Sequence, residues 1–341
     1  MKNKICLLFL SVIIVAVGAA FHTAAAQDVS AFASFNKNAF KGKLYASIKH
    51  GVGEGEVGGV MENKTAETVL LGPSAFCADA AGNLYFVDCV NLRVVKYDAA
   101  QNKSAVIFDY KNSGIRNGFV SDIAVAASGD IYLLNASESY VYRFSSTGGF
   151  FGVIGQIEDR HVAKRIAAIF CDSSSNLIVI DAQNPNVVVF SPDGKIIKET
   201  EIKFEDASSY AINASGKPFA SRLGDFGAAL VDIETGTETL LKYEIDAKKE
   251  DKLVEARLIG FDSAGAAYLK MIVIDKEGGI VNNDIVKYIN ADVEKSLKVP
   301  YYTIDEQELI VKKPEIILKE NMILGYYDSE TFFDVLSYQI K

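Results

Sequence analysis

The chain contains no tryptophan and few histidines, cysteines and prolines: three, four and six among 341 residues. Without indole rings, which supply much of the stacking surface for sugars, a carbohydrate-binding function is disfavoured, although tyrosine can stack as well. The scarcity of histidine argues against a zinc centre, which normally has at least three protein ligands. After the first 26 residues the histidines are His50 and His161, far apart in the sequence. No segment after residue 20 reaches the roughly 18 apolar residues that a membrane helix requires.

The first 26 residues have the pattern of a secretory signal peptide. Lys2 and Lys4 precede an apolar run over residues 5–20, and Ala24–Ala26 end the segment before Gln27. We expect cleavage after this alanine run and a mature protein that is secreted or periplasmic, with no membrane insertion. A lipoprotein anchor would need a cysteine at the cleavage point, where there is none. An uncleaved N-terminal anchor is the alternative.

The charge balance is acidic. Lysine and arginine number 35 and aspartate and glutamate 44, which gives a net charge of −9. Loss of Lys2 and Lys4 with the signal peptide makes it −11. Since there are no basic runs, we expect neither nucleic acid nor an anionic lipid surface as a partner.

Three cysteines follow the signal peptide, and this odd number leaves at least one thiol unpaired. In the hairpin that contains Cys77 and Cys89 the two are out of register, with Cys77 opposite Tyr85 or Phe86. We therefore predict that both, together with Cys171, are buried free thiols that behave as small apolar side chains. A disulfide is the alternative.

A repeat of strand, tight turn and strand occurs five times. The first residues of successive turns are 47, 46, 41 and 49 residues apart. A strand-containing repeat of that length is typical of a propeller blade. The turns are Asp79–Asn83, Ala126–Asp130, Asp172–Asn176, Asn213–Lys217 and Asp262–Ala266.

The first repeat shows the pattern of a whole blade, with strands predicted over 74–78, 84–87, 93–97 and 104–108. A sixth hairpin, 315–318 with 322–326, and a last strand, 334–338, leave the final blade one strand short. The strand-like segment 43–49 can complete it. The sequence thus predicts an all-β fold, a six-bladed β-propeller of four-stranded antiparallel blades, with the ring closed by an N-terminal strand. Residues 27–38 are predicted to form a flexible tail and 39–341 the propeller.

The first repeat also carries a family resemblance. It contains Gly72-Pro73, Asp79 before Gly82-Asn83, Val87-Asp88 and Asn91-Leu92-Arg93-Val94. This order resembles the NHL repeat of six-bladed propellers, with Leu92 in place of the family's histidine. The third repeat keeps Asp172, Asn176, Ile180-Asp181 and Asn184, the second has Asn135 for the aspartate, and the last three keep only the strand rhythm. The resemblance implies the six-bladed fold and leaves the activity open, because such propellers include lyases, lactonases, receptors and scaffolds.

Most catalytic signatures are missing from the sequence. There is no Gly-x-Ser-x-Gly elbow, phosphate-binding loop, zinc helix or calcium loop. The zinc of NHL-like amidating lyases would need more histidines, and the motif of quinone-dependent dehydrogenases is not found. A metal-dependent, lactonase-like or other hydrolase stays open, because such enzymes hold a divalent cation at the channel through scattered Glu, Asn and Asp side chains.

The favoured hypothesis is a non-enzymatic binding or scaffold module without a cofactor. In a propeller, the connections from the second to the third strand and those between blades emerge on one face around the channel. The first kind carries Asp88, Asn91, Asn135, Asp181 and Asn184, and the second carries Arg116, Arg160, His161, Lys164, Arg165 and Arg257. Such a basic crescent on an acidic protein suits a small anionic ligand or an acidic loop of a partner protein. The alternative for each residue is a local structural role, since Asp and Asn often bond their own turns and loop cations are usually solvated.

Overall fold

The computed structural model describes residues 42–59, 72–115, 120–154, 156–157, 160–161, 166–182, 185–204, 206–224, 227–245, 250–298, 313, 315–319, 322–328 and 332–340. The predicted signal peptide and tail lie outside these residues. No helix in the described ranges is long and apolar enough to cross a membrane.

Within these ranges the chain forms six four-stranded antiparallel sheets, the blades. The first strand is β1 (Lys43–Lys49). Blade 1 consists of β2 (Ala75–Ala78), β3 (Leu84–Asp88), β4 (Arg93–Asp98) and β5 (Lys103–Asp109). Blade 2 consists of β6 (Asp122–Val125), β7 (Ile131–Asn135), β8 (Tyr140–Phe144) and β9 (Phe150–Ile154). A separate hairpin follows, made of β10 (Gln156–Ile157) and β11 (Arg160–His161).

The later blades repeat the order. Blade 3 consists of β12 (Ile166–Cys171), β13 (Leu177–Asp181), β14 (Asn186–Phe190) and β15 (Ile196–Glu201). Blade 4 consists of β16 (Ala207–Ile212), β17 (Pro218–Gly224), β18 (Gly227–Asp232) and β19 (Glu238–Leu240). Blade 5 consists of β20 (Lys252–Phe261), β21 (Ala267–Ile274), β22 (Ile280–Ile289) and β23 (Asp292–Lys298). Blade 6 consists of β24 (Glu315–Lys319), β25 (Met322–Asp328), β26 (Phe332–Gln339) and β1.

The blades form a ring. The innermost strands contact one another in the cycle β2, β6, β12, β16, β20, β24 and back to β2. One apolar cluster fills each of the six interfaces between neighbouring blades. The second strands of the first three blades are buried at every residue because a neighbouring blade packs on each face. The predicted six-bladed propeller is confirmed.

The ring closes through pairing of β1 with β26, as predicted. Lys43 lies opposite Ser337 and Lys49 opposite Phe332 in this antiparallel pair. Ala46 and Ile48 of β1 are buried in the cluster between blades 6 and 1. The first described strand thus becomes the outermost strand of the last blade.

The five repeated turns share one geometry. In each, the amide of the first residue donates to the carbonyl of the fifth, and the amide of the fourth donates to the carbonyl of the first. The fourth residue has positive φ in all five turns, between 64° and 90°. Glycine occupies that position in four turns because it adopts this conformation without a Cβ clash, whereas the third turn has Ser175. In the first turn, Asp79 Oδ1 also accepts from the amides of Ala81 and Asn83 at 2.9 and 3.0 Å.

Candidate binding site in the central channel

The channel along the propeller axis is the candidate site. It encloses about 850 Å³, and all six innermost strands contribute to its wall. That volume lies within the range of small-molecule binding pockets. The charged residues of the wall are Arg257, Lys313 and Glu315.

The polarity of the channel changes along its axis. At the end where the innermost strands begin, the lining includes Ser208, Arg257 and Glu315. Near the repeated turns, at the other end, the lining residues include Val125 and Ile212. The connections from second to third strand lie at the polar end, because each second strand runs antiparallel to the innermost strand. A ligand with a charged head and an apolar body would match this gradient.

A four-residue ionic chain lies at the polar end, between blades 5 and 6. Arg257 Nη2 is 2.6 Å from Glu315 Oε2, and Arg257 Nε is 2.9 Å from Glu255 Oε1. Lys270 Nζ reaches the other oxygen of Glu315 at 3.2 Å. Burial lowers the pKa of Arg257, but Glu315 and Glu255 outweigh burial and raise that pKa above its usual value. Burial likewise raises the pKa of Glu315, but Arg257 and Lys270 outweigh it and lower that pKa.

Lys313 makes the second ionic contact of the channel. It precedes β24 of blade 6, yet its ammonium reaches the wall formed by blades 2 and 3. Lys313 Nζ lies 2.7 Å from Asp122 Oδ2, donates to the carbonyl of Ile169 at 2.8 Å and stands 4.1 Å from the ring centre of Phe170. Because blade 3 is opposite blade 6 in the ring, this side chain crosses the channel.

Two thiols line the channel, Cys77 of blade 1 and Cys171 of blade 3. Both are free, as predicted, but they are partly exposed and not fully buried, because they face the channel. Burial raises the pKa of each thiol, and the ammonium of Lys313 opposes this effect at both. The third thiol, Cys89, is also free, and burial raises its pKa to about 11. Cys77 lies opposite Tyr85 in the β2–β3 pair, one of the two predicted partners.

The predicted binding residues Asp88 and Asn91 are engaged in the structure of blade 1. Asp88 is fully buried and its Oδ2 accepts from Arg93 Nε at 2.8 Å. Asn91 donates to Asp88 Oδ2 at 2.8 Å and to the carbonyl of Gly51 at 3.0 Å. Arg93 also donates to the carbonyls of Val52 and Glu56, at 3.0 and 2.8 Å. This network attaches the segment after β1 to blade 1.

Four of the remaining predicted residues lie within the described part of the chain. Asn135 is buried at the end of β7, where it bonds Ser137 and Glu138. Asp181 is buried at the end of β13, opposite Asn186. Arg160 and His161 form β11, with His161 paired with Gln156. Outside the described residues lie Arg116, Lys164, Arg165 and Asn184.

Arg257 differs from its predicted place. The predicted place was a connection between blades, whereas Arg257 lies inside β20, a ten-residue strand that begins at Lys252. The innermost strand of blade 5 is thus longer than those of the other blades and includes part of the expected loop. As a result Arg257 lines the channel wall instead of lying in a loop on the face around the channel.

Three channel residues were missed in the sequence: Asp122, Lys313 and Glu315. A signal was available in the alignment of the repeats on their turns. Five residues before each turn the chain has Ser74, Ser121, Ala167, Ser208 and Arg257. This aligned position faces the channel in blades 3, 4 and 5, where the fifth repeat changes to arginine, and Glu315 starts the innermost strand of blade 6.

Metal ligands do not converge in the described part of the chain. No group of three or more His, Cys, Asp or Glu side chains there could hold a metal ion. The carboxylates of Asp122 and Glu315 are each paired with cations of the chain itself.

Comparisons with known proteins give likeness in fold alone. No family model matches the chain, and no curated protein matches it. Among solved structures, virginiamycin B lyase from Staphylococcus aureus is 10% identical with a TM-score of 0.47, over 78% of this chain and 94% of that one. The PQQ-bound aldose sugar dehydrogenase from Streptomyces coelicolor is 10% identical with a TM-score of 0.49, over 88% and 98%. Hydrazine synthase from Kuenenia stuttgartiensis is 13% identical with a TM-score of 0.48, over 78% and 76%.

Proposed function

We propose that this protein is an exported, non-enzymatic binding propeller that takes a small organic anion with an apolar body in its central channel. The observation that carries the proposal is the channel itself, about 850 Å³ with an apolar wall and ionic residues at one end. We also propose that the protein is related to NHL-repeat propellers, on the motifs of its first repeat. The predicted signal peptide supports a location outside the cytoplasm.

Arg257 is the anchor that we assign to the ligand's anionic head. Of its two carboxylate partners, Glu255 is the more exposed, with 34% of its side chain accessible against 13% for Glu315. A ligand carboxylate can therefore replace Glu255 on the guanidinium while Glu315 and Lys270 stay in place. The planar guanidinium holds a carboxylate through two parallel hydrogen bonds, which fixes the orientation of the head.

The experiment is thermal unfolding of the purified protein with octanoate. The controls are acetate, which has the carboxylate but no apolar body, and octanol, which has the apolar body but no charge. A ligand at 100 times its Kd adds about 2.7 kcal/mol to the free energy of unfolding. We expect octanoate to raise the midpoint by several degrees, acetate and octanol much less. Ala182 is exposed and lines the channel, so Ala182→Trp should abolish the shift. Ala100→Trp, at an exposed turn of blade 1, should preserve it.

Other outcomes identify the alternatives. If octanoate and octanol act equally, or the Ala182→Trp variant responds like the wild type, the channel does not bind anions and capture of a partner protein becomes the next test. A parallel series with calcium, magnesium, zinc and manganese addresses the metal-dependent hydrolase. A stabilisation by one of these ions that a chelator reverses would replace the binding proposal with that enzyme.

A further inference from the structure

The contacts of Lys313 reveal a second, oppositely charged site on the other wall of the channel. We infer that Asp122, the carbonyl of Ile169 and the ring of Phe170 form a receptor for a primary alkylammonium ligand, occupied in this structure by the chain's own Lys313. The inference does not depend on the proposed anion site, because its ligand has the opposite charge and its test uses no organic anion.

Asp122 is built to hold a negative charge in a buried place. Only 1% of it is exposed, and its carboxylate accepts from the amides of Ile123 at 2.9 Å and Ile169 at 3.1 Å. The two amide donors fix the orientation of the carboxylate. A buried carboxylate without a cation is strongly unfavourable, so this wall requires a positive partner.

The Ile169 carbonyl and the Phe170 ring determine which kind of cation fits beside Asp122. The Ile169 carbonyl lies 2.8 Å from Lys313 Nζ and supplies a second acceptor, and the Phe170 ring, 4.1 Å away, supplies a cation–π face. A carboxylate, a carbonyl and an aromatic face together match a primary ammonium, which has three donors and a compact charge. The apolar lining next to it, such as Val125 and Ile123, can receive an alkyl chain.

Lys313 is an internal competitor for this site. Its side chain comes from the far side of the ring, and 22% of it remains accessible, against 2% for Asp122. An external ammonium must displace it, so the apparent affinity of the wild type is the intrinsic affinity reduced by the fraction of molecules in which Lys313 is released. A variant without the Lys313 ammonium should therefore bind an external alkylammonium with the intrinsic affinity.

The test is chemical rescue of Lys313→Met with n-butylammonium chloride, which supplies again the ammonium group that this variant lacks. We expect the thermal midpoint of this variant to rise with n-butylammonium concentration and to be unmoved by n-butanol or by sodium chloride at equal ionic strength. The wild type should need at least a tenfold higher n-butylammonium concentration for the same increase in thermal midpoint. The double variant Asp122→Asn with Lys313→Met removes the buried charge as well and should show no rescue.

The wild-type protein supplies a second readout should Lys313→Met fail to fold. If n-butylammonium displaces Lys313, acetylation of Lys313 by acetic anhydride, measured by mass spectrometry relative to that of the exposed Lys103, should increase with n-butylammonium and not with n-butanol. The ratio to Lys103 corrects for the anhydride that n-butylamine itself consumes. Rescue by n-butanol equal to that by n-butylammonium, an equal response of the double variant, or unchanged acetylation of Lys313 would overturn the inference. A failure of octanoate binding would leave all of these measurements unaffected.

Discussion

Ser47 donates a hydrogen bond to Asp334 Oδ1 at 2.5 Å, although 287 residues separate the two in the chain. The contact joins β1 to β26 and belongs to the pair of strands that closes the ring. Without β1, the polar backbone edge of β26 and the apolar cluster under Ile48 would be exposed to solvent. Closure of the propeller thus depends on the longest-range strand pairing in the chain, between its first and last described strands.

Ile48→Ala should weaken this closure. Ile48 is 1% exposed, so loss of its side chain leaves a cavity between blades 6 and 1 and should cost about 3 kcal/mol. Leu44 of the same strand is 59% exposed, and Leu44→Ala should change stability by no more than about 0.5 kcal/mol. Urea unfolding monitored by circular dichroism measures both. Equal effects of the two substitutions would mean that β1 is not packed as described.

Most of the fold could be predicted from the sequence because its determinants are local and repeated. The alternation of apolar strands with turns such as Gly82-Asn83 recurs at nearly constant spacing, and each blade needs only that pattern and its neighbours. The closure of the ring by residues 43–49 could also be predicted from the number of strands, because the last blade had only three of its own. The length of β20 did not follow, because the residues before Arg257 include charged side chains that also suit a loop.

The candidate site was less accessible to sequence reasoning. Asp88 and Asn91 were predicted to bind a ligand because they belong to a connection from second to third strand on the face around the channel. Whether such side chains are available to a ligand depends on their partners in the folded protein. Here Arg93, five residues beyond Asp88, takes up the carboxylate. Lys313 and Asp122 lie 191 positions apart in the sequence, and only the closed ring brings them together across the channel. Contacts of this kind carry no local signal.

Substitution of Ser175 should separate backbone strain from hydrogen bonding in the third turn. Ser175 has a φ of 64°, which costs a residue with a Cβ about 1 kcal/mol, and its Oγ accepts from the Ser128 amide of blade 2 at 3.0 Å. Ser175→Ala and Ser175→Gly both lose that hydrogen bond, but only glycine relieves the strain. We expect the alanine variant to be less stable than the glycine variant by about 1 kcal/mol in urea unfolding.

Ser128 provides the matched control for this comparison. It is exposed in the neighbouring turn and does not have a positive φ. There the order should reverse, with Ser128→Ala as stable as Ser128→Gly or more so, because glycine loses more backbone entropy on folding. The same order at both positions would show that the backbone conformation of Ser175 does not limit the stability of the third turn.

The three partly buried thiols should make the protein sensitive to alkali. A cysteine has an ordinary pKa near 9, and burial raises the pKa of Cys89 to about 11 and the pKa values of Cys77 and Cys171 further still. Above pH 9 the unfolded chain releases these protons while the folded protein keeps them. The unfolded state then binds fewer protons, so the free energy of unfolding falls as pH rises, by up to about 1.4 kcal/mol per pH unit for each thiol.

The double variant Cys77→Ala with Cys171→Ala isolates the contribution of the channel thiols to this loss. Its absolute stability at pH 7 reflects the altered packing, but the dependence on pH reports only the groups that titrate. Between pH 9 and 11 the free energy of unfolding from urea titrations should fall less steeply than in the wild type, by up to about 2.7 kcal/mol per pH unit. Cys89 remains in both proteins and keeps a residual slope up to about pH 11. Identical slopes would mean that the two channel thiols ionise as readily in the folded protein as in the unfolded chain, and that water fills the channel around them.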